Sequence, residues 1–158
     1  MPLSRGTIRA AAGFTLVEAL LVVAIIGILI AIAIPAVQTY IERGRRAQAI
    51  MDLQEMSDAI KKLDKTTGVL PATLAAAGYG TRADPWGNLY EYRNLRTGTG
   101  NGIQRKDKKL APLNSDFDLY AVGPDRITNA SLLHANSRDD IVRARDGLFI
   151  GTAEEFDP

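Results

Sequence analysis

Gly13-Phe14-Thr15-Leu16-Val17-Glu18 opens the stretch that decides the fold of this chain. Behind it, the 19 residues from Ala19 to Val37 carry no charged or strongly polar side chain. A helix needs roughly 20 apolar residues to cross a bilayer, so the run is about long enough. One acid, Glu18, stands near its start, four residues after Phe14. A carboxylate in hydrocarbon costs roughly 2.5 kcal/mol or more, so it requires a partner. A cut after Gly13 would free the α-amine of Phe14 as that partner. A secretory signal has an apolar core of about 7–15 residues. This run is longer and has an acid within it, which disfavours that reading. A plain membrane anchor explains the length, but not Gly13, Phe14 and Glu18 together.

The remaining composition narrows the possibilities. The chain has 158 residues, enough for one anchor helix and one small globular domain. Net charge is +1, which gives no overall electrostatic case for binding nucleic acid. There is no cysteine, which excludes disulfides and thiolate metal sites. Arg5 and Arg9 precede the apolar run and Arg43, Arg45 and Arg46 follow it, so the positive-inside rule does not settle orientation. The second arginine cluster suits anionic headgroups, acidic neighbours or solvent equally well.

Beyond the apolar run the pattern stays helical. Ala49, Leu53, Met56, Ile60 and Leu63 recur at three- and four-residue spacing, an amphipathic stripe. Thr66-Thr67-Gly68 is a stop signal, with Lys61, Lys62 and Lys65 where cations suit the helix dipole. The spacing predicts one helix from Phe14 to Lys65, interrupted by Gly27 and Pro35. Proline removes a helical hydrogen bond, so local bending or melting around Gly27–Pro35 is expected when the segment leaves lipid for a filament. A short helix is expected from Pro71 to Ala77 and a turn at Gly78-Tyr79-Gly80. A second turn is expected at Asp84-Pro85-Trp86-Gly87-Asn88, with the Trp86 ring packed on the core. Leu89–Tyr92 and the alternating Asp116–Val122 are expected strands, and residues 94–112 a flexible hairpin loop. Gly123-Pro124-Asp125 opens a long loop to about Asp140, and Gly147–Gly151 is a final short strand or packed tail.

Gly13-Phe14-Thr15-Leu16-Val17-Glu18, the apolar run and Pro35 resemble the prepilin signal of type IV pilins and type II secretion pseudopilins. The resemblance covers about residues 6–45. It implies cleavage after Gly13 by a membrane prepilin peptidase, N-methylation of Phe14, and assembly through Glu18 and Pro35. A second stretch is similar to the major pseudopilin of type II secretion. It comprises Asp84-Pro85-Trp86-Gly87-Asn88, then Asp118-Leu119-Tyr120-Ala121-Val122-Gly123-Pro124-Asp125, and Asp139-Asp140-Ile141. The implied fold is α+β and pilin-like: a long N-terminal helix, transmembrane in its first half, packed on a small antiparallel sheet domain. The implied organisation is a leader at 1–13, a transmembrane and filament-core helix at 14–39, an amphipathic helix half at 40–67, and a globular domain at 68–158 with a metal-binding loop.

In the pseudopilin family the loop after the last strand binds calcium. By resemblance Asp125 and Asp140 match the acidic ligands best; Asp139 is expected to replace or assist Asp140, and the loop's Asn136 and Ser137 offer further side-chain or backbone oxygens. Calcium takes six to eight oxygen ligands, and an ion bridging the loop ends would offset the entropy of closing the loop. Capping turns or facing solvent is the common alternative for loop aspartates. The chain departs from the family pattern in a longer basic loop at 94–112 and a longer segment from Arg126 to Arg138.

No catalytic constellation is expected. His134 is the sole histidine, and Gly98-Thr99-Gly100-Asn101-Gly102 lacks the Lys-Ser or Lys-Thr of a phosphate loop. The expected function is a structural subunit of a periplasmic pseudopilus driving type II protein secretion. It would be a single-pass inner-membrane protein with its C-terminal domain in the periplasm. Its implied partners are further copies of itself, minor pseudopilins, the prepilin peptidase, membrane lipid, and an assembly platform with its ATPase. The alternative is a type IV pilus pilin, a minor one included, in adhesion, motility or DNA uptake. The cations Arg96, Arg105, Lys106, Lys108 and Lys109 motivate it, because phosphate contacts need such groups. Asp107 interrupts that cluster and no aromatic residue interleaves it, so nucleic acid is not an expected partner.

Overall fold

The computed structural model describes residues 13–156. The leader expected at 1–13, with Arg5 and Arg9, lies outside the described residues except for Gly13. The chain divides into two compact units, one up to Ile41 and one from Glu42 onward.

In the first unit, helix α1 (Leu16–Thr67) begins two residues later than expected and runs without interruption through Gly27 and Pro35. Among residues 16–41 the apolar side chains are solvent-facing, with Leu20 60% and Val23 67% exposed. Such a surface is stable only in lipid or against other apolar segments, and α1 is long and apolar enough to cross a membrane. Thr39 Oγ1 donates to the Pro35 carbonyl at 3.0 Å, one turn after the proline.

In the second unit α1 continues to Thr67. Its stop is as expected, with Gly68 at φ +74° and its N–H bonded to Asp64 O at 2.8 Å. Ala49, Leu53, Met56 and Ile60 are fully buried, so the amphipathic stripe is core packing. They meet Tyr90, Tyr92, Phe117, Leu119, Ala121 and Ile141.

Five strands are present among the described residues: β1 (Glu91–Asn94), β2 (Thr99–Gly100), β3 (Phe117–Ala121), β4 (Ile141–Ala144) and β5 (Phe149–Thr152). They form an antiparallel sheet in the order β2-β1-β3-β4-β5. One long helix on a small antiparallel sheet is the expected α+β architecture.

Four expectations need correction. The first strand lies two residues later than Leu89–Tyr92, and β4 is a strand where none was expected. β3 is buried at all five residues rather than alternately. The physical reason is a second layer: Leu113, Leu132 and Ala153 cover Tyr120, Val142 and Ala144 on the face away from α1. The segment 94–112 supplies part of that layer. It is therefore not the expected flexible hairpin loop, because Arg105 and Asp107 are buried and β2 pairs with β1. Gly100 makes that pairing possible, since a Cβ there would collide with Tyr92 O.

Candidate functional site

The N-terminal site is built on the first turn of α1. Thr15 precedes the helix and Glu18 is its third residue, the spacing of a capping box. The hydrogen bonds are reciprocal. Thr15 N and Oγ1 donate to Glu18 Oε2 at 2.9 and 2.7 Å, and Glu18 N donates to Thr15 Oγ1 at 3.2 Å. Glu18 thus has a partner within its own chain, which the sequence reading overlooked although Thr-x-x-Glu before an apolar run is a recognised signal. Its carboxylate keeps acceptor capacity, because two oxygens offer about four lone-pair sites. Phe14 is 78% exposed and Gly13 has no side chain, so the bond between them lies on an open strand of chain before the helix.

The second site is the loop from Asp125 to Asp140, where the expected ligands are largely engaged with other partners. Asp140 is fully buried, and its Oδ2 accepts from Arg105 Nη2 at 2.5 Å and from Thr128 Oγ1 at 2.5 Å. Burial pushes its carboxyl up to about 6, against the pull of Arg105 and Thr128. Ser137 is buried and bonded twice to Asn129, accepting from its N–H at 2.9 Å and donating to its carbonyl at 3.0 Å. Asp125 closes a local turn, accepting from Ile127 N at 2.8 Å. Asp139 sits against Gly123, where a Cβ would lie 2.7 Å from Asp139 Oδ2. Burial, and then the charge of Asp125, raise its carboxyl above the usual range, against hydrogen bonds from the backbone N–H groups of Asp139 and Asp125 and the weaker pull of Arg46. Among the described residues no three His, Cys, Asp or Glu side chains come together in a metal-holding group.

The cationic loop also looks different in three dimensions. Arg96 makes a two-pronged pair with Asp64 at 2.7 and 2.9 Å. Arg105 points inward over the Tyr120 ring, 4.5 Å from its centroid. Only Lys106, Lys108 and Lys109 of the five remain exposed cations without these ties. The cluster proposed for phosphate contacts is therefore broken up by internal pairing.

Two further residues carry polar duties that the sequence reading did not assign. Trp86 packs against the core as expected, and its Nε1 also donates to Glu42 at 3.1 and 3.3 Å. Arg143 is buried in β4 and reaches Ser57 on α1 at 3.0 Å. His134 is exposed and accepts from Asn136 N at 3.3 Å, a local cap.

A family model described as the prokaryotic N-terminal methylation motif matches residues 8–34. Fimbrial protein EcpC of Eikenella corrodens is 46% identical over 66 residues, covering 42% of this chain and 43% of that protein. A fimbrial protein of Neisseria meningitidis serogroup A is 33% identical over 86 residues, covering 54% of this chain and 51% of the relative. Type IV major fimbrial protein FimA of Dichelobacter nodosus is 51% identical over 49 residues, 31% of each chain. The chain thus spans about half the length, or less, of these curated relatives. All three relatives are named as fimbrial proteins. No solved structure matches the chain.

Proposed function

We propose that this type IV pilin-like chain is a structural subunit of a type IV pilus, anchored in the inner membrane by α1 and polymerised after processing at Gly13–Phe14. The observation that carries the reading is the methylation motif at 8–34 coinciding with a capped, solvent-facing apolar helix. In the membrane, lipid covers Leu20, Val23 and their neighbours. In a filament the same surface is covered by the helices of other copies. The free Phe14 amine of one copy is then the cation that meets the spare acceptor capacity of Glu18 in a neighbour. A buried pair of this kind sets register more than it adds stability. The prepilin peptidase, an assembly platform with its ATPase, and lipid are the partners this reading requires, with the C-terminal domain on the periplasmic side.

A second reading is a pseudopilin of type II secretion, the first expectation from the sequence. It rests on the resemblance of Asp84–Asn88 and Asp118–Asp125 to the major pseudopilin, whereas the named relatives are fimbrial. A deletion strain, complemented with the wild-type gene, separates the two. Lost surface pili with normal secretion supports the first reading. Lost secretion with pili intact supports the second. Both unchanged sinks both.

A further inference from the structure

We propose that this domain carries its own cation: the Arg105 guanidinium stands at Asp140 where the resemblance placed calcium, and the loop from Asp125 to Asp140 is closed without a metal. The inference does not depend on which filament the chain joins.

The residues do not fit the ion. Calcium takes six to eight oxygens. Asp140 gives one oxygen to Arg105 and Thr128, Ser137 is engaged with Asn129, and Asp125 with its own turn. Asp140 Oδ1 is left buried and unpaired, Asp139 accepts from the Asp125 backbone, and among the described residues no three acidic side chains gather there as a calcium site would need.

The arginine, by contrast, is held at several points, with only its Nε buried and unpaired among the described residues. It is 1% exposed and Asp140 0%. Its backbone N–H donates to Asp118 Oδ2 at 2.7 Å and its carbonyl accepts from Leu113 N at 2.9 Å. Its guanidinium also lies against Thr128 Oγ1 and over the Tyr120 ring. A guanidinium stays protonated at any ordinary pH, so the charge is permanent.

The adjoining backbone does the rest of what a bridging ion would do. Lys106 N donates to Ala130 O at 2.8 Å and Leu132 N to Lys106 O at 3.0 Å. These bonds fasten the 94–112 segment to the middle of the long loop, while Arg105 fastens it to the loop's end. It is this 94–112 segment that brings Arg105 to Asp140.

The test is thermal unfolding of the full chain in detergent micelles, with excess calcium and with a calcium chelator. Wild-type curves should superimpose, and terbium, a luminescent calcium substitute, should not bind. Arg105→Gln should lower the midpoint by about 10 °C in both buffers, as loss of one partner of a buried pair does. Lys108→Gln, an exposed control on the same loop, should melt like the wild type. A wild-type midpoint raised by calcium, or terbium bound by the wild type, would overturn the proposal. So would an Arg105→Gln variant that melts like the wild type. The wild-type calcium and terbium arms decide the matter even if Arg105→Gln does not fold.

Discussion

Tyr90 donates its hydroxyl proton to Asp52 Oδ2 at 2.7 Å, tying the chain just before β1 to the buried face of α1. Asp52 is 5% exposed and sits among apolar neighbours on that face. It is tolerated there because Arg82 and Gln48 also donate to it, at 2.6 and 2.8 Å. Burial, and then the Asp52 carboxylate, push the Tyr90 hydroxyl well above its ordinary range, so Tyr90 remains a donor at every working pH. Tyr90→Phe should cost about 1–2 kcal/mol, since Asp52 keeps its other two donors. Asp52→Ala should cost more, because it strands the hydroxyl and the guanidinium together. Urea unfolding midpoints of the two variants check the order. A wild-type midpoint for Tyr90→Phe would show the link to be idle.

Arg143 gives a second prediction. Its guanidinium lies 3.9 Å from the centroid of the Phe117 ring. It donates to Phe117 O at 2.7 Å, to both Asp116 oxygens at 2.8 and 2.7 Å, and to Ser57 Oγ at 3.0 Å. A lysine ammonium cannot reproduce that planar fork. Arg143→Lys should therefore lower stability by about 3 kcal/mol, and Ser57→Ala by about 1 kcal/mol. Denaturant unfolding of both variants measures this, and a wild-type midpoint for Arg143→Lys would contradict it.

The capping box separates the two duties of Glu18. Glutamine also serves at the third helical position, so Glu18→Gln keeps the cap and removes the charge. Thr15→Val removes the hydroxyl of the cap and keeps the charge, at about 1 kcal/mol. The expected outcome is normal cleavage for both variants, with filament yield lost in Glu18→Gln and largely kept in Thr15→Val. Sheared filaments assayed by immunoblot decide it. Full yield from Glu18→Gln would remove charge from the account of register.

Replacing Lys106, Lys108 and Lys109 together by glutamine should leave any DNA retention by intact cells unchanged. The five-cation cluster is dismantled by the Arg96–Asp64 and Arg105–Asp140 pairs. Salt-dependent retention that disappears in the triple variant would restore the binding reading.

The long helix and its end were legible because period and punctuation are local: an apolar run, a stripe from Ala49 to Ile60, and Gly68. The small sheet was legible in outline from its turns. β4 was not, because Ile141-Val142-Arg143-Ala144 contains a charge that sequence patterning assigns to solvent. Arg143 is buried only because Asp116 and Ser57, distant in sequence, converge on it. For the same reason Arg105 passed for a surface cation and Asp140 for an open ligand. Each neutralises the other's charge across 35 residues, and no local pattern announces such a pair. The second layer over β3, which buries Asp118 as well as Tyr120, was equally hidden in a segment whose composition is that of a flexible loop. At the N-terminus the Thr15–Glu18 cap was within reach of the sequence, but the search for a partner to Glu18 went to the Phe14 amine instead.

The most direct test of the account is the mass of the N-terminal peptide from filaments sheared off cells that express this chain. The account predicts a peptide beginning at Phe14 and carrying one added methyl group on its amine. Filament-derived protein that still begins at Met1 would contradict it.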